Sequence, residues 1–343
     1  MLEQDYASFL QIYITGIVST LFIAGICFLI FSRKSFLVNW AQGVFIVSII
    51  FNCACILVFQ LLKLYTFKYY ADFAVWLELF SNIIDGRGVI STLHQTSLGF
   101  GDTRNYLALH FVPLIYILAL PLCVIKNYPV YLIVLQTFIL TSSVIPIYLF
   151  SRDTFNNKRI GYLFAASFLF FPTLQYINLY DFEFLRISIP LLLFSFYFVH
   201  KKKYTVYYIF FILSILVREE VALTTFFLGV YIIFITKEKK HGIITSVTSI
   251  LYFLLITKIA MPYFAGNSNS IHYHVASGNF SHLGNSPSQI LAYIISHPLT
   301  IISNLLDKIK IANFLMYALP LLFIPFFSPS IFLISTGNLF LNF

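Results

Sequence analysis

The stretch "ILVREEVALTTFF" (residues 215–227) sets three consecutive charges, Arg218, Glu219 and Glu220, between two strongly apolar runs. Tight connections normally draw on Gly, Pro, Asn or Ser, and this one has none of them. A charge near the bilayer centre costs about 2.5–3.5 kcal/mol on insertion scales, so all three must reach water or partners. The flanking runs then read as two membrane helices with a charged end at the surface. An arginine among acids suits a phosphate group, whose oxygens its planar fork holds in pairs. The plainer reading is a short polar hairpin.

The rest of the chain agrees with a membrane setting. Of 343 residues, 59% are apolar and 10% charged, and the mean hydropathy is +0.88. Soluble domains run at about 45–50% and about 25%, so this is an integral membrane protein. The net charge of +8 does not point to nucleic acid, because Lys and Arg fall in short clusters between apolar runs, as in cytoplasmic loops. Cys27, Cys53, Cys55 and Cys123 all lie in apolar segments without metal-ligand spacing, where a thiol acts as a small hydrophobe. The N-terminus "MLEQDYASF" has no basic residue, so the first run reads as a retained span and not as a signal peptide.

A span needs about 20 mostly apolar residues. Candidate spans are 10–31, 41–62, 130–150, 160–178, 187–200, 204–217, 221–236, 243–261 and 310–327. The run 106–125 carries His110, Pro113 and Pro121, and "SPSIFLISTGNLFLNF" begins a further span and stops midway, as a truncated chain would. The clusters "SRDTFNNKR" (151–159), "KKK" (201–203) and "KEKK" (237–240) are basic, whereas 259–307 holds no Lys or Arg. The clusters are therefore expected in the cytoplasm, which places "YDFEFLR" (180–186) and "REE" (218–220) outside. For the first third, charge counting leaves both orientations open: 63–105 outside with 106–125 re-entrant, or 63–105 inside with 106–125 spanning.

Other polar features carry less. In 69–104, Asp72, Glu78, Asp85 and Asp102 accompany an apolar, helix-like stretch, which reads as an interfacial helix bearing a carboxylate or as a solvated loop. Asp181 and Glu183 are two residues apart and so do not share a helix face; Arg186 beside them can snorkel to the interface. His272, His274 and His282 lie on the long exterior loop without a defined carboxylate partner. Glycine-rich phosphate loops, GxSxG and HExxH are absent.

The ordered stretches "ADFAVWLELFSNIIDG", "HFVPLIYILALP", "LQTFILTSSVIPIYLFSR", "FPTLQYINLYDFEFLRISIP" and "LVREEVAL" resemble a family of predicted membrane proteins, domain of unknown function 2079. That family is itself similar to the GT-C superfamily of membrane glycosyltransferases. The likeness runs through Asp72, Gly86, His110, Pro113, Pro121, Gln136, Pro146, Tyr148, Pro172, Asp181, Phe182, Pro190 and Arg218–Glu220. Three positions depart from it: Glu183 and Leu185 stand where the family commonly has His and Glu, and Glu78 where it often has Gln.

The resemblance implies an all-α, polytopic GT-C-like bundle in the cell membrane, with about 9–11 transmembrane helices and exterior surface helices. Residues 1–35 would be an extra N-terminal span and 36–343 the GT-C-like domain. It implies the orientation with 63–105 outside and 106–125 at the exterior face, so that Asp72, His110, Asp181 and Arg218–Glu220 share one side. The implied activity is transfer of a sugar from a polyprenyl-phosphate donor to an extracytoplasmic acceptor, usually with inversion. Asp72 would be the catalytic base. Arg218, backed by Arg186 and His110, would stabilise the leaving phosphate, and Asp181, Glu183, Glu219 and Glu220 would complete the substrate site. Partners are the lipid-linked donor and membrane lipids, with no nucleic acid. Some GT-C enzymes use a divalent metal, and no motif here decides the point. The competing readings are a transporter or lipid flippase, and a non-catalytic scaffold.

Overall fold

The computed structural model describes residues 36–93, 105–266 and 287–299, with positions 303, 315 and 334 beyond them. The expected span 10–31, most of 310–327, and His272, His274 and His282 lie outside the described residues. Within them the chain is helical, and the one β pairing is a bridge between Ile90 and Asn105.

The helices are α1 (Phe36–Tyr65), α2 (Ala71–Ile84), α3 (Leu114–Ala119), α4 (Tyr128–Ser142), α5 (Val144–Phe155), α6 (Lys158–Leu169), α7 (Pro172–Leu179), α8 (Ser188–His200), α9 (Tyr204–Ile215), α10 (Val221–Tyr231), α11 (Lys239–Leu255), α12 (Met261–Ala265) and α13 (Pro287–Ser296). Three stretches are long and apolar enough to cross a bilayer: Gln42–Tyr65, Tyr128–Phe155 and Lys239–Ala265. The pair α6–α7 makes a fourth if its 47° bend is counted within one span. Pro172 opens α7; it has no N–H to donate and favours a first-turn position, so the break falls just before it. The run 106–125 is divided into short turns of helix, of which Leu114–Cys123 is the longest apolar piece. At about 1.5 Å per residue that piece covers about half of a bilayer core.

Local chemistry explains the boundaries. Asn127 accepts a hydrogen bond from the Val130 N–H and caps α4. Asn156 takes a left-handed conformation (φ 47°) that ends α5, and Asn157 accepts from the Arg159 N–H to start α6. Two adjacent asparagines thus close one helix and open the next, each in the role its short amide favours.

The chain forms two compact units. Met1–Phe73 with Asn127–Phe210 is the first, and Ala74–Lys126 with Phe211–Phe343 is the second. In the first, Phe45, Val144, Ala165, Ala166, Leu169 and Phe170 form a buried cluster joining α1, α5 and α6. Hydrogen bonds between helices add to it, from Asn52 Nδ2 to Gln175 Oε1 (3.1 Å) and from Cys53 Sγ to Thr141 Oγ1 (3.4 Å). In the second, α10 and α11 pack through small residues. Thr225 and Ser249 share a hydroxyl–hydroxyl hydrogen bond (2.9 Å), and Ser246 Oγ donates to the Phe226 carbonyl (3.2 Å). Small residues let membrane helices approach closely, which replaces the water-driven attraction that lipid cannot supply.

Candidate functional site

The first unit holds Asp72, Asp181, Glu183 and Arg186, and the second holds His110, Arg218, Glu219 and Glu220.

In the first unit the centre is Asp181, 1% exposed. One of its oxygens accepts from Lys63 Nζ (2.6 Å) and the other from the Tyr70 backbone N–H (2.7 Å). Lys63 comes from the end of α1 and sits 4.4 Å from the ring centre of Tyr69, 5.7 Å from that of Tyr70 and 5.5 Å from that of Tyr180. These faces are electron-rich and attract a cation. Two glutamines frame the pivot. Gln60 donates to the carbonyls of Asn178 (2.6 Å) and Tyr180 (3.1 Å), and its own oxygen accepts from the Tyr69 hydroxyl (2.6 Å). Gln136 accepts from the Glu183 N–H (3.2 Å) and from Arg186 Nη1 (3.1 Å). The same Nη1 donates to the Ile177 carbonyl (2.6 Å) and to that of Asp181. Glu183 caps the turn Phe184–Ile187 through the Leu185 N–H. Burial, reinforced by the Asp181 charge, pushes the Tyr69 hydroxyl well above its ordinary range.

Asp72 differs from these. It stands in the first turn of α2, is exposed, and makes no hydrogen bond or ion pair among the described residues. Its charge still reaches Tyr180, whose hydroxyl is pushed up first by burial, then by Asp181, and further by Tyr176 and Asp72. The Tyr70 N–H held by Asp181 is two residues before it, so the buried pivot fixes the approach to Asp72.

In the second unit the turn 216–220 sits between α9 and α10. Its charges do not simply point to water. Glu219 accepts from the Phe111 N–H (2.8 Å) and lies 3.0 Å from His110 Nδ1. Arg218 Nη2 lies 2.6 Å from His110 Nε2, and its Nε is 3.5 Å from Glu220. Arg218 Nε also donates to His110 Nδ1 (3.0 Å), so the guanidinium, which can only donate, faces both ring nitrogens. The His110 ring is thus held between an arginine and a glutamate. The Leu114 N–H donates to the Leu216 carbonyl (3.1 Å), tying the 110–114 segment to the same turn. Burial pushes the Glu220 carboxyl up, Arg218 pulls it down and Glu219 pushes it up again, leaving it raised.

Glu78, also in the second unit, holds a loop. Its carboxylate accepts from Ser91 Oγ (2.6 Å), Thr92 Oγ1 (2.6 Å), the Thr92 N–H (3.0 Å) and the Leu93 N–H (3.3 Å). Partial burial pushes this carboxyl up, and the bonds from Ser91, Thr92 and Leu93 outweigh it, so the balance lies below the ordinary value. A depressed carboxyl contributes stability that is present above its unfolded value and lost as pH falls through the folded one. Hydrogen exchange at the Thr92 and Leu93 amides should therefore accelerate as pH is lowered below about 4, beyond the change in intrinsic rate. Glu78→Gln should show fast exchange already at neutral pH. Equal protection in both proteins across that range counts against the anchor.

The sequence reading named the acids and arginines but missed Lys63 and Gln60. Both are polar groups in or at the end of a span, where such residues are rare, and that was the available signal. Among the described residues no group of three or more His, Cys, Asp or Glu is placed to hold a metal ion.

Residues 60–343 match a family described as a predicted membrane protein, DUF2079. No curated protein and no solved structure matches the chain.

Proposed function

The chain belongs to the DUF2079 family of predicted membrane proteins, and from that premise we propose a GT-C-type glycosyltransferase, passing a sugar from a polyprenyl-phosphate donor to an acceptor at the extracytoplasmic face of the cell membrane. In this reading residues 36–343 form a multi-pass, GT-C-like bundle whose apolar helices take the lipid tail, and 1–35 add a span.

The observation that carries the reading is the contrast between Asp72 and Asp181. Both oxygens of Asp181 are taken by Lys63 and Tyr70, whereas Asp72 is exposed and unengaged among the described residues. A base must be within reach of the acceptor hydroxyl and not committed to another donor. Asp72 fits that role. The acceptor oxygen attacks the anomeric carbon, the bond from that carbon to the phosphate oxygen breaks, and the proton passes to Asp72. Negative charge builds on the departing polyprenyl phosphate. Arg218 is assigned to it, because a guanidinium braced by His110 and Glu220 is oriented before charge appears. Arg186, whose Nη1 is directed at two carbonyls and Gln136, is assigned to the fold around Asp181. Glu183, Glu219 and Glu220 orient substrate hydroxyls or the groups that meet them, and Asp181 positions Asp72 from behind.

A transport reading has one feature in its favour, the 47° break between α6 and α7, because broken spans line substrate paths in transporters. Membranes supplied with labelled polyprenyl-phosphate sugar separate the two. Asp72→Asn should lower transfer by about a hundredfold or more, with expression and detergent extraction unchanged, and Arg218→Ala should lower it independently. Transfer unchanged in both variants rejects the site. Label that crosses the membrane without being transferred favours transport.

A further inference from the structure

The cluster around Asp153 lies in the first unit and has no part in the proposed chemistry. Asp153 sits near the end of the Tyr128–Phe155 span, and Lys201 directly follows α8. Arg152 donates to Asp153 Oδ1 (2.8 Å from Nε, 2.7 Å from Nη2). Lys201 Nζ reaches Oδ2 (2.9 Å), and so does the Tyr197 hydroxyl (3.1 Å). One carboxylate therefore joins two turns, 152–159 and 201–203. The left-handed residues Asn156 (φ 47°) and Lys202 (φ 53°) give each turn its sharp reversal.

The joined turns carry Arg152, Lys158, Arg159, Lys201, Lys202 and Lys203 against the single acid Asp153, a net charge of +5. No carboxylate pairs with Lys158, Arg159 or Lys203 among the described residues, and Lys158 and Lys203 are exposed. Holding so many cations together is unfavourable unless counter-charge arrives from outside the chain. Below the cations lies apolar surface. Phe155 and Phe164, 53% and 46% exposed, stack with ring centres 5.7 Å apart. Phe164 is six residues into α6 from Lys158, about 9 Å further along the helix. Cations at the helix ends with exposed rings beneath them match the order of a phospholipid, phosphate above acyl chain.

We infer that the paired turns 152–159 and 201–203, clamped by Asp153, form a binding surface for the anionic headgroups of membrane phospholipids. Charge complementarity and the position at the ends of two apolar helices select a lipid as the occupant. Asp153 acts as the clamp and Arg152 and Lys201 as its arms, while Lys158, Arg159 and Lys203 meet the phosphates. Basic pockets between membrane helices bind acidic headgroups by this physics.

Full-length protein reconstituted in phosphatidylcholine bilayers, with a trace of spin-labelled phosphatidylglycerol or spin-labelled phosphatidylcholine, tests this by the fraction of motionally restricted lipid. Wild type should prefer the anionic label by about threefold or more. The combined variant K158Q/R159Q/K203Q should fall to near parity, since it leaves the clamp intact. A second variant, K237Q/K239Q/K240Q, removes as many charges from the other unit and should keep most of the preference. Parity in wild type overturns the proposal, and so does a preference that survives the first variant or disappears only in the second. Loss of the preference in millimolar inorganic phosphate at constant ionic strength also overturns it, because that result describes a free-anion site.

Discussion

Asp181→Ala should destabilise the first unit by about 3 kcal/mol, the lower end of what breaking a buried ion pair costs. The lower end applies because Lys63 keeps 19% of its side chain in solvent while Asp181 keeps 1%. Truncation leaves an ammonium and the Tyr70 N–H without their acceptor. The Tyr69, Tyr70 and Tyr180 rings still attract Lys63, but a cation–π contact contributes about 0.5–2 kcal/mol and was already present. Asp181→Asn should fall in between, since it keeps an acceptor for Tyr70 and loses the charge. The discriminating variant is Lys63→Met/Asp181→Leu. With both charges gone, apolar side chains of similar size recover most of the loss. Thermal unfolding in detergent, followed by helical circular dichroism, reads all four proteins. A double variant no better than Asp181→Ala shows that the pair is not a unit. The same series bears on function, because Asp181 fixes Tyr70 two residues before Asp72. Transfer by Asp181→Asn should drop further than its folded fraction does.

Much of this architecture could be read from residue order because the membrane restricts the choices. Apolar runs of sufficient length predicted α1, the α4–α5 span and α11, whereas for 106–125 the residues left a re-entrant and a spanning run both open. The segment "VREEV" read either as a phosphate-binding helix end or as a short polar hairpin, and the structure brings its Glu219 and Arg218 to His110. What could not be read is pairing at a distance. Lys63 and Asp181 are 118 residues apart, and Asn52 and Gln175 are 123 apart. No local periodicity encodes which polar group in one span meets which in another. For the same reason Glu78 read as a carboxylate aimed at a cleft or at water, while it holds the Ser91–Leu93 loop. Asp72 and Asp181 looked alike in sequence, and only burial and partners separate a free acid from a committed one.

Gly229→Ala should cost about 3 kcal/mol, from a single added methyl group in the α10–α11 hairpin. A Cβ on Gly229 would lie 2.6 Å from the Ser246 backbone nitrogen and 2.8 Å from the Gly242 carbonyl oxygen, besides meeting Ser246 Oγ. Gly242 is as tightly placed, with a Cβ only 2.7 Å from the Gly229 carbonyl oxygen and 2.8 Å from the Ile233 nitrogen. These obstacles are backbone atoms, which cannot rotate away, so the helices must separate. Separation breaks the Thr225–Ser249 and Ser246–Phe226 hydrogen bonds and forfeits close packing that lipid does not restore. Two companion variants decide whether backbone contact is the cause. Ser246→Gly in the Gly229→Ala background removes the serine hydroxyl and should fail to rescue, because the nitrogen at 2.6 Å remains. Gly229→Leu should be worse than Gly229→Ala, exposing the 237–240 turn to trypsin in the folded-state digest. Full rescue by Ser246→Gly would mean that the side chain alone was the obstacle and that the two backbones do not meet.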